Sequence, residues 1–320
     1  PSAELPATLG ISTPSSNNSD LRTKGWEVSI GWKDRLKNGL GYGINLSLSD
    51  QITMIDSYPD NKTLSIDSYL PGYKDGLIWG YETIGIAKSD EEMQAHLASL
   101  PKGGQDAVGS QWAAGDIMYK DLNGDGKISE GARTLGDHGD LKILGDTYSH
   151  YFFGIDLNAD WKGFDFRAFF QGVLKHDYWG SGNFTGMLFG VRGGYSRWHT
   201  RGFKQHEDYF RAEPAGLEGH ELPANLDSYY PRPIFSDSSD GTSFGAKNQK
   251  VQSRYVQDAS YIRLKNLQFG YTLPAKFTNK FGINRLRIFV SGENVWTGTG
   301  LTKLFDPETI SGGNGGNAYP

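Results

Sequence analysis

The chain has 320 residues, with 32 Lys and Arg against 37 Asp and Glu for a formal net charge of -5, so it carries no basic footprint for nucleic acid. It contains no cysteine, which removes disulfides, thiolate-held zinc and thiol nucleophiles from consideration. Glycine numbers 43, nearly twice the average share of about 7%, and aromatics make up 13%; with no helix-forming runs, this composition points to an all-β, turn-rich chain.

No apolar run approaches the ~18–20 residues of a membrane-crossing helix, and the mean hydropathy is -0.52. A membrane β-barrel would look the same, because only alternate residues of its strands face lipid. The chain begins at Pro1 without an initiator Met or a leader, and residues 312–320 are a glycine-rich run unlike a domain end. The expectation is a fragment.

The first strand is expected over 26–33, where Trp26, Val28, Ile30 and Trp32 alternate with polar residues and glycine. A short connection at 34–39 leads to a second strand over 40–49, in which Leu40, Tyr42, Ile44, Leu46 and Leu48 alternate without an error. Within the following stretch, 50–150, one helix is expected: Ser89 is its N-cap, Glu92 stands at the third position, and Met93, Leu97 and Leu100 follow.

The same stretch holds Asp121-Leu122-Asn123-Gly124-Asp125-Gly126-Lys127, the first half of a calcium-binding EF-hand loop. The side chains of Asp121, Asn123 and Asp125 and the carbonyl of Lys127 would supply oxygens to Ca²⁺. Ala132 stands where a bidentate Glu is usual, so Asp137 or Asp140 would have to complete the shell. The competing reading is a polar turn whose side chains bond their own backbone.

A sharper strand pair spans 153–161 and 164–174, joined at Lys162-Gly163 by a tight turn. Its apolar set runs Phe153, Ile155, Leu157, Ala159, Trp161 and then Phe164, Phe166, Ala168, Phe170; Phe169 breaks the pattern. The second long stretch, 175–259, is rich in aromatics, including Tyr178, Trp179, Phe184, Phe189, Tyr195, Trp198, Phe203, Tyr209, Phe210, Tyr229 and Tyr230. Arg192, Arg197, Arg201 and Arg211 are interleaved with them. Such residues either contact a sugar or a partner protein, or hold a long loop folded. The last pair begins with Ile262 and Leu264, shifts phase at Lys265-Asn266 as a β-bulge would, and continues through Leu267, Phe269, Tyr271 and Leu273. Its return strand carries Leu286, Ile288 and Val290, with Phe289 as the exception.

Connections within pairs are short and connections between pairs are long, a rhythm of outer-membrane barrels and not of compact sandwiches. The seven His residues show no metal-binding spacing, and no GxSxG or GxGxxG context marks a catalytic or nucleotide site. Two rival readings are a calcium-binding extracellular β-sandwich, such as a carbohydrate-binding protein, and a secreted glycan hydrolase with an unmarked carboxylate pair.

Three stretches resemble the SusC/RagA family of TonB-linked outer-membrane proteins. The first is Gly115-Asp116-Ile117-Met118-Tyr119-Lys120 running into the Asp121 loop, with Gly139-Asp140-Leu141-Lys142 after it. The second is Asp160-Trp161-Lys162-Gly163-Phe164-Asp165-Phe166 with Phe169-Phe170-Gln171-Gly172. The third combines Tyr261-Ile262-Arg263-Leu264-Lys265-Asn266-Leu267, Gly270-Tyr271-Thr272-Leu273-Pro274, Ser291-Gly292-Glu293-Asn294-Val295-Trp296 and Asp306-Pro307-Glu308. The resemblance implies an antiparallel transmembrane β-barrel of 22 strands in the Gram-negative outer membrane, of which residues 1–320 would be a carboxyl-terminal part. It also implies an amino-terminal plug and TonB box beyond this chain, a SusD-like lipoprotein lid, assembly as a dimer of such units, and TonB-driven import of oligosaccharides or peptides without enzymatic activity. Family members often carry Asp where Ala132 stands.

Overall fold

The computed structural model describes residues 17–180, 203–234 and 246–310. Strands β1 (Asp20–Arg35) and β2 (Gly41–Ser57) come first. The connection after them carries β3 (Leu77–Tyr81), β4 (Thr83–Ile86), helix α1 (Asp90–Ala98), β5 (Ile117–Tyr119) and β6 (Leu141–Asp146). A hairpin of β7 (His150–Trp161) and β8 (Phe164–Lys175) follows, then the two-residue β9 (Asp177–Tyr178). After the second connection come β10 (Gln257–Asp258), β11 (Tyr261–Thr272), the single turn α2 (Ala275–Thr278) and β12 (Arg287–Thr299).

The six long strands form one sheet in the order β1-β2-β7-β8-β11-β12. The pairings β2–β7, β7–β8, β8–β11 and β11–β12 are antiparallel, so each long strand lies beside its neighbour in sequence. The three short turns therefore share one end of the sheet, and the two long connections leave from the other. Lys162 (φ 48°) and Gly163 (φ 91°) both take the left-handed conformation that lets a two-residue turn follow the twist of its strands. The expected bulge is present. Register shifts between Leu264 and Asn266 against both neighbouring strands, and Asn294 on β12 takes φ 50° nearby.

Cross-strand register keeps the apolar residues on one face. One row reads Tyr42, Ala159, Phe166, Phe269 and Val290; the next reads Ile44, Leu157, Ala168, Leu267 and Gly292. The bulge extends this alignment to Leu46, Ile155, Phe170, Leu264 and Trp296. The opposite face reads Gly43, Asn158, Arg167, Gln268 and Ser291, and the two aromatic exceptions, Phe169 and Phe289, stand on it. The apolar face is not packed into a dry core. Ile30 and Trp32 are each 62% exposed, Phe269 53% and Val290 76%.

The chain divides into two compact units. One gathers the sheet, and the other gathers Met54–Gly145 with Trp179–Val256. In the second unit Met93, Ile117, Tyr119, Ile128 and Tyr255 are fully buried. The expected helix is α1: Ser89 Oγ accepts from the Glu92 amide at 3.2 Å, and the Glu92 carboxylate accepts from the Lys88 amide at 2.6 Å, one residue before the cap.

What ties the two connections together is a buried carboxylate. Asp116 is 0% exposed and accepts from Arg232 at 2.8 Å on each oxygen, from Lys247 at 2.7 Å and from Asn248 at 2.9 Å. Lys247, also fully buried, donates further to the carbonyls of Ser110 and Gln111 at 3.0 and 2.9 Å and lies 4.6 Å over the Trp112 ring. Asn248 Oδ1 accepts from the Ile117 amide at 3.0 Å, and the Tyr119 hydroxyl donates to the Lys247 carbonyl at 2.5 Å. Gly115 (φ +84°) has no room for a side chain, since a Cβ there would come within 2.4 Å of the Phe210 ring.

Asp116→Asn removes the charge and keeps the shape, leaving Lys247 buried without its counter-ion. The expected cost is about 3–5 kcal/mol, read as a lower melting temperature and faster amide exchange at 117–119 and 247–252. Burial by itself raises the Asp116 carboxyl, but hydrogen bonds from Arg232, Lys247 and Asn248 outweigh it and hold the group below the usual carboxylate value. A carboxylate depressed in the folded state stabilises above its unfolded pKa of about 3.9. That contribution is lost as pH falls through the lower folded value. Acid titration of exchange in this unit should show the loss in the native protein and not in Asp116→Asn.

Candidate functional site

The polar face of the sheet is organised by ion pairs that reach over a strand. Arg35 of β1 meets Asp160 of β7 at 2.8 Å, and β2 lies between them. The crossing is made at Gly41, where a Cβ would come within 2.4 Å of Asp160 Oδ1 and 2.7 Å of the Arg35 guanidinium. The same arrangement recurs across β11. Arg287 of β12 donates from Nε to Asp165 of β8 at 2.9 Å, over Gly270, whose Cβ would lie 2.5 Å from Arg287 and 2.6 Å from Asp165. Arg167 and Asp156, on adjacent strands, pair at 2.8 Å. The glycine alternation of the strands thus has a use on this face: it leaves space for long side chains lying flat.

Toward the long-connection end, Arg263 is only 5% exposed. It donates to Thr297 at 2.8 Å and Asp306 at 2.6 Å and pairs with Glu308; Lys265 holds Glu308 at 2.8 Å. Residues 301–310, which follow β12, are thereby tied to the polar face, and Phe305 packs edge-on against Tyr178 with centroids 5.7 Å apart. At the same end His150 is buried between Asp50 (2.7 Å from Nδ1) and Asp146 (3.0 Å from Nε2).

In the Asp121 loop the side chains serve the backbone. Asp121 accepts from the Gly124 and Gly126 amides at 2.6 and 2.9 Å, Asn123 from Asp125 at 2.9 Å, and Asp125 from Lys127 at 3.0 Å. Asp140 is fully buried and accepts from Leu122 and Ser129 at 2.8 Å each. Asp137 bonds the Ala132 amide at 3.0 Å. Burial, opposed by these amides and assisted by the nearby Asp121 charge, raises the Asp140 carboxyl above its ordinary value. The donors are all oxygen, as a hard cation requires. Yet among the described residues no three His, Cys, Asp or Glu side chains converge to hold a metal. The geometry is that of a turn latched by its own side chains.

Of the described aromatics of the second connection, Phe203 is 41% exposed and the core ones pack inward. Phe210 and Tyr230 are each 5% exposed, and Tyr229 and Tyr255 meet edge-on at 5.3 Å. Arg211 is buried and bonds the Pro223 and Glu207 carbonyls at 2.7 and 2.6 Å. These residues hold the loop unit folded. Phe184, Phe189, Tyr195, Trp198, Arg192, Arg197 and Arg201 lie outside the described residues.

No family model matches the chain. It is similar to TonB-dependent receptor P3 of Formosa agariphila, with 27% identity over 95% of the chain and 27% of that receptor. It is also similar to TonB-dependent receptor P26 of the same organism, with 24% identity over 98% of the chain and 28% of the receptor. Among solved structures, that of the RagAB peptide transporter matches all of the chain and 30% of its own, with a TM-score of 0.56 at 16% identity. The RagAB peptide importer in its open-open state matches all of the chain and 29% of its own, with a TM-score of 0.55 at 17% identity. The chain therefore spans under a third of the length of these relatives, which are named as receptors and as a peptide importer. Sequence similarity to TonB-dependent receptors over nearly the whole chain and a fold like that of the RagAB structures agree with the SusC/RagA resemblance carried by the three stretches.

Proposed function

We propose that the complete protein imports a nutrient across the Gram-negative outer membrane, and that this chain supplies part of the barrel wall together with a loop unit. The observation that carries the reading is the face whose paired rows run through Phe166, Phe269 and Val290, predominantly apolar in every paired strand and with Ile44, Leu46, Phe166, Phe269 and Val290 exposed. In water such a face would cost roughly 1.5–3 kcal/mol for each large side chain left unburied; in a bilayer it is the face the solvent requires. The polar face, with its Asp–Arg pairs, suits a wet interior. The RagAB structures, with states named open-open and closed-closed, support a SusD-like lipoprotein lid as partner here as well; the family resemblance adds paired units forming a dimer and TonB engaged through a part of the protein outside this chain. The cargo is an oligosaccharide or a peptide.

Fractionation of cells expressing the full-length protein should place it in the detergent-resistant outer-membrane fraction, and deletion of its gene should abolish growth on one class of cargo, glycan or peptide, while sparing growth on glucose. Recovery of the native protein from the soluble periplasm would overturn the reading.

We propose calcium at the Asp121 loop as a second and separable feature. Its support is the oxygen spacing of Asp121, Asn123 and Asp125, together with the carboxyl pair Asp121 and Asp140, whose mutual repulsion a cation would relieve. The expected outcome is a rise in melting temperature with millimolar Ca²⁺ that Asp125→Asn removes. An unchanged melting temperature would leave the loop as the hydrogen-bonded turn.

A further inference from the structure

The connection between β11 and β12 exposes more hydrophobic surface than a turn in water tolerates. Phe281 is 81% exposed, the highest value of any large hydrophobic residue among those described, and Phe277 is 58% and Ile283 41% exposed. The stretch 274–286 also carries Lys276, Lys280 and Arg285, all exposed, and no carboxylate. It is nonetheless a built turn. The Phe277 amide bonds the Pro274 carbonyl at 2.9 Å, the Ile283 amide bonds the Thr278 carbonyl at 3.1 Å, and the Leu273 amide bonds the Leu286 carbonyl at 2.9 Å, closing its neck. Gly282 at φ 69° reverses the chain, and Thr278 is buried beneath it.

Its place in the sheet says what it meets. The last cross-strand row of the apolar face at this end is Trp161, Phe164, Tyr271 and Ile288. The Phe164 and Tyr271 rings lie 4.5 Å apart, and Lys162 lies 4.6 Å over the Trp161 ring. Aromatic rings with neighbouring cations are the chemistry of a membrane–water boundary, where rings sit at headgroup depth and ammonium groups reach phosphate. The turn continues from this row with the same composition.

We propose that residues 274–286 form a membrane-interface foot, with Phe277 and Phe281 inserted at the acyl boundary and Lys276, Lys280 and Arg285 set on phospholipid phosphates. This rests on the lipid-facing reading of the sheet. Apolar rings with a net charge of three and no acid favour an anionic lipid surface over a protein pocket, which would need its own carboxylates to neutralise the cations.

The chain has no cysteine, so a single nitroxide label placed here is unique once any cysteine elsewhere in the full-length protein is changed to serine. Full-length protein carrying F281C, V290C or E218C is reconstituted in bilayers of phosphatidylethanolamine and phosphatidylglycerol, and label depth is read from relaxation by oxygen against a water-soluble nickel chelate. Val290 reports the sheet's apolar face and Glu218 an exposed loop position. The oxygen-to-nickel ratio at F281C should exceed that at E218C several-fold and should fall at least two-fold when Lys276, Lys280 and Arg285 are all changed to Gln. A lipid-like V290C with a water-like F281C would overturn the foot alone. A water-like V290C would overturn the membrane reading beneath it.

Discussion

A one-residue slip in any strand of the sheet would carry its apolar residues to the polar face and its Asp and Arg to the other. Register is therefore the constraint on which both faces depend, and several features hold it. The Lys162-Gly163 turn sets β7 against β8. The bulge at Leu264 and Asn266 absorbs a phase error that would otherwise put Ile262 and Leu264 on the face opposite Phe269. The Arg35–Asp160 and Arg287–Asp165 pairs each cross a strand at a glycine, so each fixes three strands at once. A slip of the central strand would bring a side chain under the pair.

The loop unit is held by different physics. It has one helix of any length and only short strands among its described residues, so its long connections need another source of order. Asp116 provides it by gathering Arg232, Lys247 and Asn248 from a segment more than a hundred residues away. Burying a lysine and a carboxylate together yields little net stability. It does make alternative packings costly, because any arrangement that separates the two strands a charge in the apolar interior. Tyr119, Gln105 and Gln252 extend the same logic with neutral groups: Gln105 accepts from the Tyr119 amide at 2.6 Å, and Gln252 donates to the Asn248 carbonyl at 2.8 Å.

What could be read from the sequence was what is local. The six long strands, the two-residue turn, the bulge and the capped helix each follow from the period or turn chemistry of a few adjacent residues, although the strands extend beyond the alternating cores, as β1 does to Asp20 and β12 to Thr299. Phe169 and Phe289 were visible as exceptions but not as members of the polar face, because only pairing reveals which face a residue occupies. The Asp116 cluster was not legible, since nothing adjacent to Lys247 marks it as the partner of a carboxylate so distant in sequence. Arg263, Lys265, Asp306 and Glu308 stood in stretches that carried the family resemblance, but their mutual pairing appears only when 301–310 turns back. The Asp121 loop shows the converse limit: spacing that fits a cation fits equally well a turn whose carboxylates accept their own amides.

The pairing of charges on the polar face bears on what that face offers to a solute. Asp156, Asp160 and Asp165 are each engaged by an arginine within the wall. A solute beside them meets carboxylates already paired, and to draw one of those arginines away it must replace a carboxylate held in good geometry. Such a surface offers few unpaired charges to hold a solute. The arrangement follows from the glycines: Gly41 and Gly270 let Arg35 and Arg287 lie flat across a strand, so that each reaches a carboxylate two strands away and holds three strands in one register.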